Sequence, residues 1–189
     1  MVAALPDGCL LVLDEAYVDL APAGAVPRIA ADDPRVIRMR TFSKGYGLAG
    51  LRVGYALAAP ALIRAFDKVR NHFGMGRVAQ AGAMAALADQ DWLRAVQGQV
   101  AAARDRIAGI AAASGLNALP SATNFVTVDC GRDGDFARAV LRECIARGLF
   151  IRMPGVAPLD RCIRISAGTP ADLDVLEEVL PQALRAAAG

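Results

Sequence analysis

A lysine in a glycine-rich segment is the residue of this chain best suited to covalent chemistry. Lys44 follows a serine and precedes Gly45-Tyr46-Gly47, and Arg52 lies eight residues further along the chain. The glycines allow tight turns and the flanking residues are apolar, so we expect the lysine to be partly buried. Burial disfavours the ammonium form of a lysine, and the neutral amine is a nucleophile that can form a Schiff base.

The groups around this lysine suit a phosphate. A serine hydroxyl is a neutral donor, and a planar guanidinium can donate two parallel hydrogen bonds to an anion. Ser43 and Arg52 are therefore the candidate phosphate ligands. A lysine that forms a Schiff base beside such ligands predicts a site for pyridoxal phosphate, with Lys44 as the residue that carries it. Thr41 offers a further hydroxyl, although strand alternation leaves its direction open.

Short apolar runs alternate with helical patterns along the chain, which is typical of an α/β fold. Residues 9–13 are predicted as a buried parallel strand, residues 35–39 as a second strand and residues 53–58 as a third. Asp14 follows the first strand and Lys44 follows the second. We therefore expect both side chains at one rim of the sheet, where open α/β sheets bind ligands.

The apolar pattern in the rest of the chain predicts more helix than strand. Helices are expected over residues 60–69, 78–87, 91–113 and 135–147, and strands over residues 124–128, 150–151 and 162–166. A last helix opens with Thr169 as its N-cap and Pro170 at its first position. We interpret residues 1–75 as part of a large α/β domain with the cofactor groups, and residues 76–189 as a linking helix and a small α+β domain.

Composition and charge argue against other classes of protein. The net charge of +2, with scattered arginines, predicts no surface for nucleic acid or anionic membrane. No apolar run reaches the ~18 residues of a membrane helix, and the first residues do not resemble a signal peptide. With one histidine and no paired ligands, no metal site is predicted. Reduced, mostly buried thiols in a cytoplasmic protein are expected at Cys9, Cys130, Cys144 and Cys162.

Four segments follow one another along the chain: Asp14-Glu15-Ala16-Tyr17, Ser43-Lys44, Ala49-Gly50-Leu51-Arg52-Val53-Gly54-Tyr55 and Arg164-Ile165-Ser166-Ala167-Gly168-Thr169. This series resembles the class I/II pyridoxal-phosphate aminotransferases of the aspartate aminotransferase fold, and among them the histidinol-phosphate aminotransferases. The resemblance covers essentially the whole chain. It implies a cytoplasmic homodimer that moves an amino group between an amino acid or amino phosphate ester and a 2-oxo acid, as in histidine biosynthesis.

The resemblance also implies roles for the residues near the cofactor. Lys44 would form the Schiff base and act as the base that moves the substrate proton. Asp14 would pair with the pyridine nitrogen, and Tyr17 would contact the ring oxygen of the cofactor. Glu15 offers a second carboxylate, but neighbouring strand residues point to opposite sides.

Three residues of the second half are implied to contact the substrate. Arg164 would bind the substrate carboxylate with both prongs of its guanidinium. Arg152 is a candidate for a second anionic group, and an exposed strand arginine is an equal alternative. Asn124 matches a family position near the substrate, or it serves backbone groups.

Members of this family are about twice as long as this chain, which resembles their C-terminal half. The glycine-rich turn that also binds phosphate and the residue that stacks on the cofactor ring have no counterpart in this sequence. Two alternatives to the aminotransferase therefore stay open: a decarboxylase of the threonine-phosphate type, and an incomplete fragment that needs a partner chain. We expect the isolated chain to have little transaminase activity and to expose apolar faces and a sheet edge.

Overall fold

The computed structural model describes residues 2–189, which form two compact units. One unit extends to Gln97 and the other covers Gly98–Gly189. The division falls within α3, a helix over Gln90–Ala113, whereas the sequence interpretation placed a domain change at about residue 75. The reason is that the helix before α3 packs into the first unit through Ala83, which shares a core with Phe42 and Leu93.

The first unit contains a three-stranded sheet. Its elements are β1 (Leu11–Asp14), β2 (Val36–Thr41), β3 (Gly54–Ala58), α1 (Pro60–Phe66) and α2 (Arg77–Ala88). The strand order is β1-β2-β3, with β1 parallel and β3 antiparallel to β2. The predicted α/β fold is confirmed, and each predicted strand of this unit differs from the observed one by at most two residues at either end.

The expectation that the first strand is buried is wrong for one of its two faces. Leu11 and Leu13 are half-buried, whereas Val12 is 61% exposed and Asp14 is also exposed. β1 lies at the end of the strand order, and its Val12 face is not covered within residues 2–189. Apolar residues on both faces are typical of parallel strands that are covered on both sides. The expected exposure of apolar sheet surface is therefore found.

The second unit contains an antiparallel sheet and two helices packed on it. Its elements are β4 (Asn117–Ala118), β5 (Phe125–Asp129), α4 (Gly134–Ala146), β6 (Cys162–Ser166) and α5 (Pro170–Ala187), with strand order β4-β5-β6. Its core includes residues that are almost fully buried: Ile107, Val128, Val140, Ile163, Leu176 and Leu180. Alternation along β5 and β6 therefore places one face on the helices.

The start of α5 forms as predicted. The Thr169 hydroxyl accepts a hydrogen bond from the Asp172 N–H, the Asp172 carboxylate accepts one from the Thr169 N–H, and Pro170 occupies the first turn. The predicted strand at residues 150–151 is wrong. One isolated bridge, between Arg152 and Arg164, replaces it, and Pro154 has no N–H to extend this pairing beyond Arg152.

Three of the four cysteines, Cys130, Cys144 and Cys162, are buried, and all four are free thiols. Burial raises the pKa of the Cys130 and Cys144 thiols to about 11, so both remain protonated and unreactive near neutral pH. In residues 2–189, no helix combines the length and the apolar character that crossing a membrane requires.

Candidate active site

The Lys44 segment forms a tight turn after β2. The Phe42 N–H donates to the Val53 carbonyl (3.1 Å), and the Gly47 N–H donates to the Lys44 carbonyl (3.0 Å). Gly47 has a φ of +71°, a left-handed conformation that favours glycine. The Phe42 ring packs against the Tyr46 ring with 4.8 Å between centroids. Buried aromatic residues therefore hold both flanks of the lysine, as its apolar surroundings in the sequence suggested.

Lys44 lies against Tyr17. The Lys44 Nζ is 5.1 Å from the centroid of the tyrosine ring, within the range of a cation–π contact. Tyr17 follows β1 and Lys44 follows β2, and these strands are parallel. Their carboxyl ends therefore meet at one edge of the sheet, which brings together two residues that lie 27 positions apart in the sequence.

The two neighbouring carboxylates after β1 have opposite surroundings. Asp14 is exposed, and its Oδ1 accepts a hydrogen bond from the Ala16 N–H (2.9 Å). Glu15 is buried, and its two oxygens accept hydrogen bonds from the Nε atoms of Arg38 and Arg40, each at 2.8 Å. Strand alternation predicted this opposite orientation. Glu15 is thus neutralised by arginines, and Asp14 is the carboxylate open to a ligand.

The hydroxyls of Thr41 and Ser43 lie together at the end of β2. Their oxygens are 2.9 Å apart, and the Ser43 N–H donates to the Thr41 oxygen (3.0 Å). Thr41 pairs with Gly54 of β3, two residues after Arg52. Arg52 itself is exposed, has a left-handed φ of 56°, and donates from its guanidinium to the Ala49 carbonyl (2.8 Å). The Thr41 side chain, whose direction strand alternation had left open, thus lies beside that of Ser43.

Arg152 and Arg164 lie opposite each other in the second unit. The N–H of each donates to the carbonyl of the other, so both side chains leave the same face of the sheet. The Arg164 guanidinium lies 4.7 Å from the centroid of the Phe125 ring, and the Arg152 guanidinium lies 6.0 Å from that of Phe150. The backbone carbonyl of Asn124 accepts from the Ala167 N–H (2.8 Å), a main-chain bond that leaves both interpretations of the Asn124 side chain as predictions.

The structure therefore gathers the predicted residues into two groups. Asp14, Tyr17, Ser43, Lys44 and Arg52 belong to the first unit, whereas Asn124, Arg152 and Arg164 belong to the second. Sequence reasoning assigned no role to Arg38 and Arg40. Arg38 lies in the strand predicted over residues 35–39 and Arg40 lies just beyond it, and their spacing by two residues places both on one face once the strand extends to Thr41, as it does in the structure. Their common partner is visible only in the structure.

Residues 1–180 match the sequence model of the family described as aminotransferase class I and II. The chain belongs to this family. Among aminotransferases of known name, the histidinol-phosphate aminotransferase of Geobacillus thermodenitrificans is 38% identical over 184 residues, which cover 96% of this chain and 50% of the relative.

Solved structures show the same relationship. The histidinol-phosphate aminotransferase of Sinorhizobium meliloti, in complex with pyridoxal-5'-phosphate, superposes with a TM-score of 0.94 at 57% identity and covers 97% of this chain and 51% of that chain. The L-threonine-O-3-phosphate decarboxylase of Porphyromonas gingivalis has a TM-score of 0.74 at 20% identity, covers 92% of this chain and 55% of that one, and shows a shared fold. The chain spans about half the length of these proteins.

Proposed function

We propose that this chain forms the lysine-bearing part of a pyridoxal-phosphate-dependent aminotransferase of the histidinol-phosphate aminotransferase type. The observation that carries the proposal is the placement of Lys44 against Tyr17, at the joint end of two parallel strands. The cofactor assignment draws support from the 57% identical relative, whose structure holds pyridoxal-5'-phosphate.

The donors of the first unit fit this cofactor. The paired Thr41 and Ser43 hydroxyls and the Arg52 guanidinium are the donor types that bind a phosphate. The exposed Asp14 carboxylate is suited to a protonated pyridine nitrogen. When bound there, pyridoxal phosphate supplies an electron sink for the pair released at the substrate Cα.

Each residue then has a defined task. The Lys44 Nζ would bind the cofactor covalently and later accept or donate the proton at the substrate Cα. Tyr17 keeps one side of the amine covered by its ring. Arg164 and Arg152 present two guanidiniums from one face, which suits substrates with a carboxylate or a phosphate ester.

The reaction that we propose is transfer of an amino group between an amino acid or amino phosphate ester and a 2-oxo acid. Amino transfer is favoured over decarboxylation because relatives at 38% and 57% identity are aminotransferases, whereas the threonine-phosphate decarboxylase at 20% identity shares the fold alone. Assays of the protein that carries this chain should detect amino transfer without release of carbon dioxide. The chain alone should turn over little, since it spans about half the length of its relatives.

We also propose that the protein is a cytoplasmic homodimer, and the surface of α2 supports its association. This helix has two polar side chains, Arg77 and Gln80, and its inner side is made of alanines. Its outer side exposes Val78, Met84 and Leu87, with Met84 69% exposed. A helix that is apolar on nearly all sides is normally buried, so we expect a second polypeptide surface to cover the outer side of α2.

The cofactor assignment is tested by trapping with borohydride. The sequence has two lysines, Lys44 and Lys68. The chain is incubated with pyridoxal phosphate and reduced with borohydride, and peptide mapping then gives the ratio of label on Lys44 to label on Lys68. We expect the label on Lys44, unchanged in Lys68→Arg and lost in Lys44→Arg. Pyridoxal without its phosphate should label Lys44 less selectively, because Ser43 and Arg52 then have no anion to bind. Equal labelling of both lysines by pyridoxal phosphate would contradict the assignment.

A further inference from the structure

A buried carboxylate between two arginines is a charged cluster of the first unit that the proposed function does not use. The Glu15 side chain is 4% exposed, and the side chains of Arg38 and Arg40 are 11% and 21% exposed. Each Glu15 oxygen pairs with one Nε at 2.8 Å. Desolvating three charges is expensive, and a well-packed apolar replacement is often as stable, so stability alone is a weak reason for this arrangement.

The cluster lies at the point where the backbone pairing of β1 and β2 ends. Strand pairing runs as far as Asp14 and Met39, and the Glu15 N–H then donates to the Met39 carbonyl (2.8 Å). Arg40 lies one residue beyond this last bond. The ion pair of Glu15 with Arg40 therefore links the two chain segments where the hydrogen-bonded ladder no longer does.

Arg38 differs from Arg40 in this respect. Arg38 pairs with Leu13 of β1 and with Leu57 of β3, so its backbone is held from both sides. Its ion pair with Glu15 repeats a connection that the ladder already makes. The two arginines thus contact the same carboxylate at the same distance, but from positions with different backbone support.

The segments that Arg40 and Glu15 join are those that carry the site. Glu15 is two residues before Tyr17, and Arg40 is four residues before Lys44. Resting on the proposed function, we propose that Glu15 and Arg40 are a positioning pair that holds the Lys44 amine over the Tyr17 ring. A network that only stabilises the unit gives no reason for the position of the Lys44 amine to depend on Arg40 rather than on Arg38.

The test reads the position of the lysine directly. Reductive methylation with ¹³C-formaldehyde gives one dimethyl-lysine NMR signal for Lys44 and one for Lys68, since the chain has two lysines. The Tyr17 ring current should displace the Lys44 signal from the Lys68 signal. In Tyr17→Leu the ring is absent, so loss of the displacement in this variant shows that the Tyr17 ring causes it.

The matched variants are Arg40→Met and Arg38→Met, with Glu15→Gln as an isosteric third. We expect Arg40→Met and Glu15→Gln to lose most of the Lys44 displacement and Arg38→Met to keep it. An unchanged displacement in Arg40→Met, or an equal loss in Arg38→Met, would overturn the proposal.

Urea unfolding shows that each compared variant is folded, and if Arg40→Met does not fold, Glu15→Gln decides the outcome. Arg40→Lys, which retains a charge but not the fork, should restore part of the displacement.

Separate experiments test the positioning pair and the cofactor assignment, so failure of one proposal can be distinguished from failure of the other. The NMR displacement needs no cofactor, so it tests positioning even where pyridoxal phosphate does not bind. Trapping in the wild-type chain tests the cofactor assignment by itself. Where both hold, Arg40→Met should also lower the ratio of Lys44 to Lys68 labelling several-fold, and Arg38→Met should leave that ratio unchanged.

Discussion

Glu15 and Asp19 are two carboxylates of the first unit whose pKa values move in opposite directions. Burial raises the pKa of each. At Glu15 the hydrogen bonds and charges of Arg38 and Arg40 outweigh burial, and its pKa lies below the usual value. At Asp19 the charge of Arg40 does not compensate for burial, and the pKa lies above it. The two groups therefore change the free energy of unfolding with opposite signs as pH varies.

Removing the charge of Glu15 should change how stability depends on pH. A lowered folded pKa contributes stability that is complete above the unfolded value, about 4.3, and is lost as pH falls through the folded value. We expect Glu15→Gln to be less stable than wild type at neutral pH, with a difference that shrinks below about pH 4. Urea unfolding from about pH 7 to about pH 3 measures it.

Asp19→Asn is the matched control for this pH dependence. Because the folded pKa of Asp19 is raised, wild type should lose stability relative to Asp19→Asn as pH rises through the unfolded and folded values. A Glu15→Gln difference that is independent of pH, or that grows on acidification, would contradict the assignment of Glu15 as an ionised partner of Arg38 and Arg40.

Sequence reasoning predicted part of this arrangement. Strand alternation was sufficient to separate Asp14 from Glu15, because it depends on one strand alone. The partners of Glu15 depend on the register between two strands, which the hydrogen bonds of the folded sheet set. Arg38 and Arg40 could therefore be placed on one face from the sequence, but not opposite a particular carboxylate.

At the scale of elements, Gly54 of β3 lies close to the backbone of β2. A Cβ built on this residue would lie 2.8 Å from the Arg40 carbonyl oxygen, which is a backbone atom and cannot rotate away. Gly54→Ala should therefore displace the strand that leads to Lys44 and destabilise the chain by ~1–3 kcal/mol.

Gly50→Ala serves as the control for that substitution. A Cβ at Gly50 meets no atom within 4 Å, so the substitution should leave the urea midpoint nearly unchanged or slightly higher. Equal destabilisation by the two variants would show that the close approach at Gly54 is not the cause.

The helices were predicted more accurately than the irregular segments. Thr169 and Pro170 mark a helix start through local chemistry, which the sequence displays directly. The strand β4, Asn117–Ala118, has two residues and is too short to show a hydrophobic periodicity. The single bridge at Arg152 forms with Arg164, which is distant in the sequence. The two apolar residues at positions 150–151 were therefore not sufficient to predict a strand.

At the scale of the whole molecule, the proposed homodimer depends on the outer side of α2. We expect the purified chain to form dimers that Met84→Glu weakens, since a charge there would be desolvated on association. Val175→Glu in α5 is the control, because Val175 is also an exposed apolar helix residue, at 45% exposure. Sedimentation equilibrium of the three proteins measures the dissociation constant. A monomeric wild type, or equal weakening by both variants, would contradict the role of α2.

The sequence indicated two parts, but the point at which the chain divides into two units could not be predicted from it. The apolar pattern of α3 continues without interruption from Gln90 to Ala113, and no glycine or proline cluster marks the change at Gln97. Element types follow from local periodicity, but membership of a unit depends on which distant residues an element contacts, as for Ala83 of α2.

The left-handed backbone of Arg52 has an evolutionary consequence. A non-glycine residue in this conformation costs about 1–2 kcal/mol, and glycine would relieve that strain while removing the guanidinium. Variants selected for thermal resistance alone should therefore converge on glycine or asparagine at this position. Selection for retention of a phosphate-bearing ligand should keep arginine, so that the residue recovered from each selection reports which pressure acted.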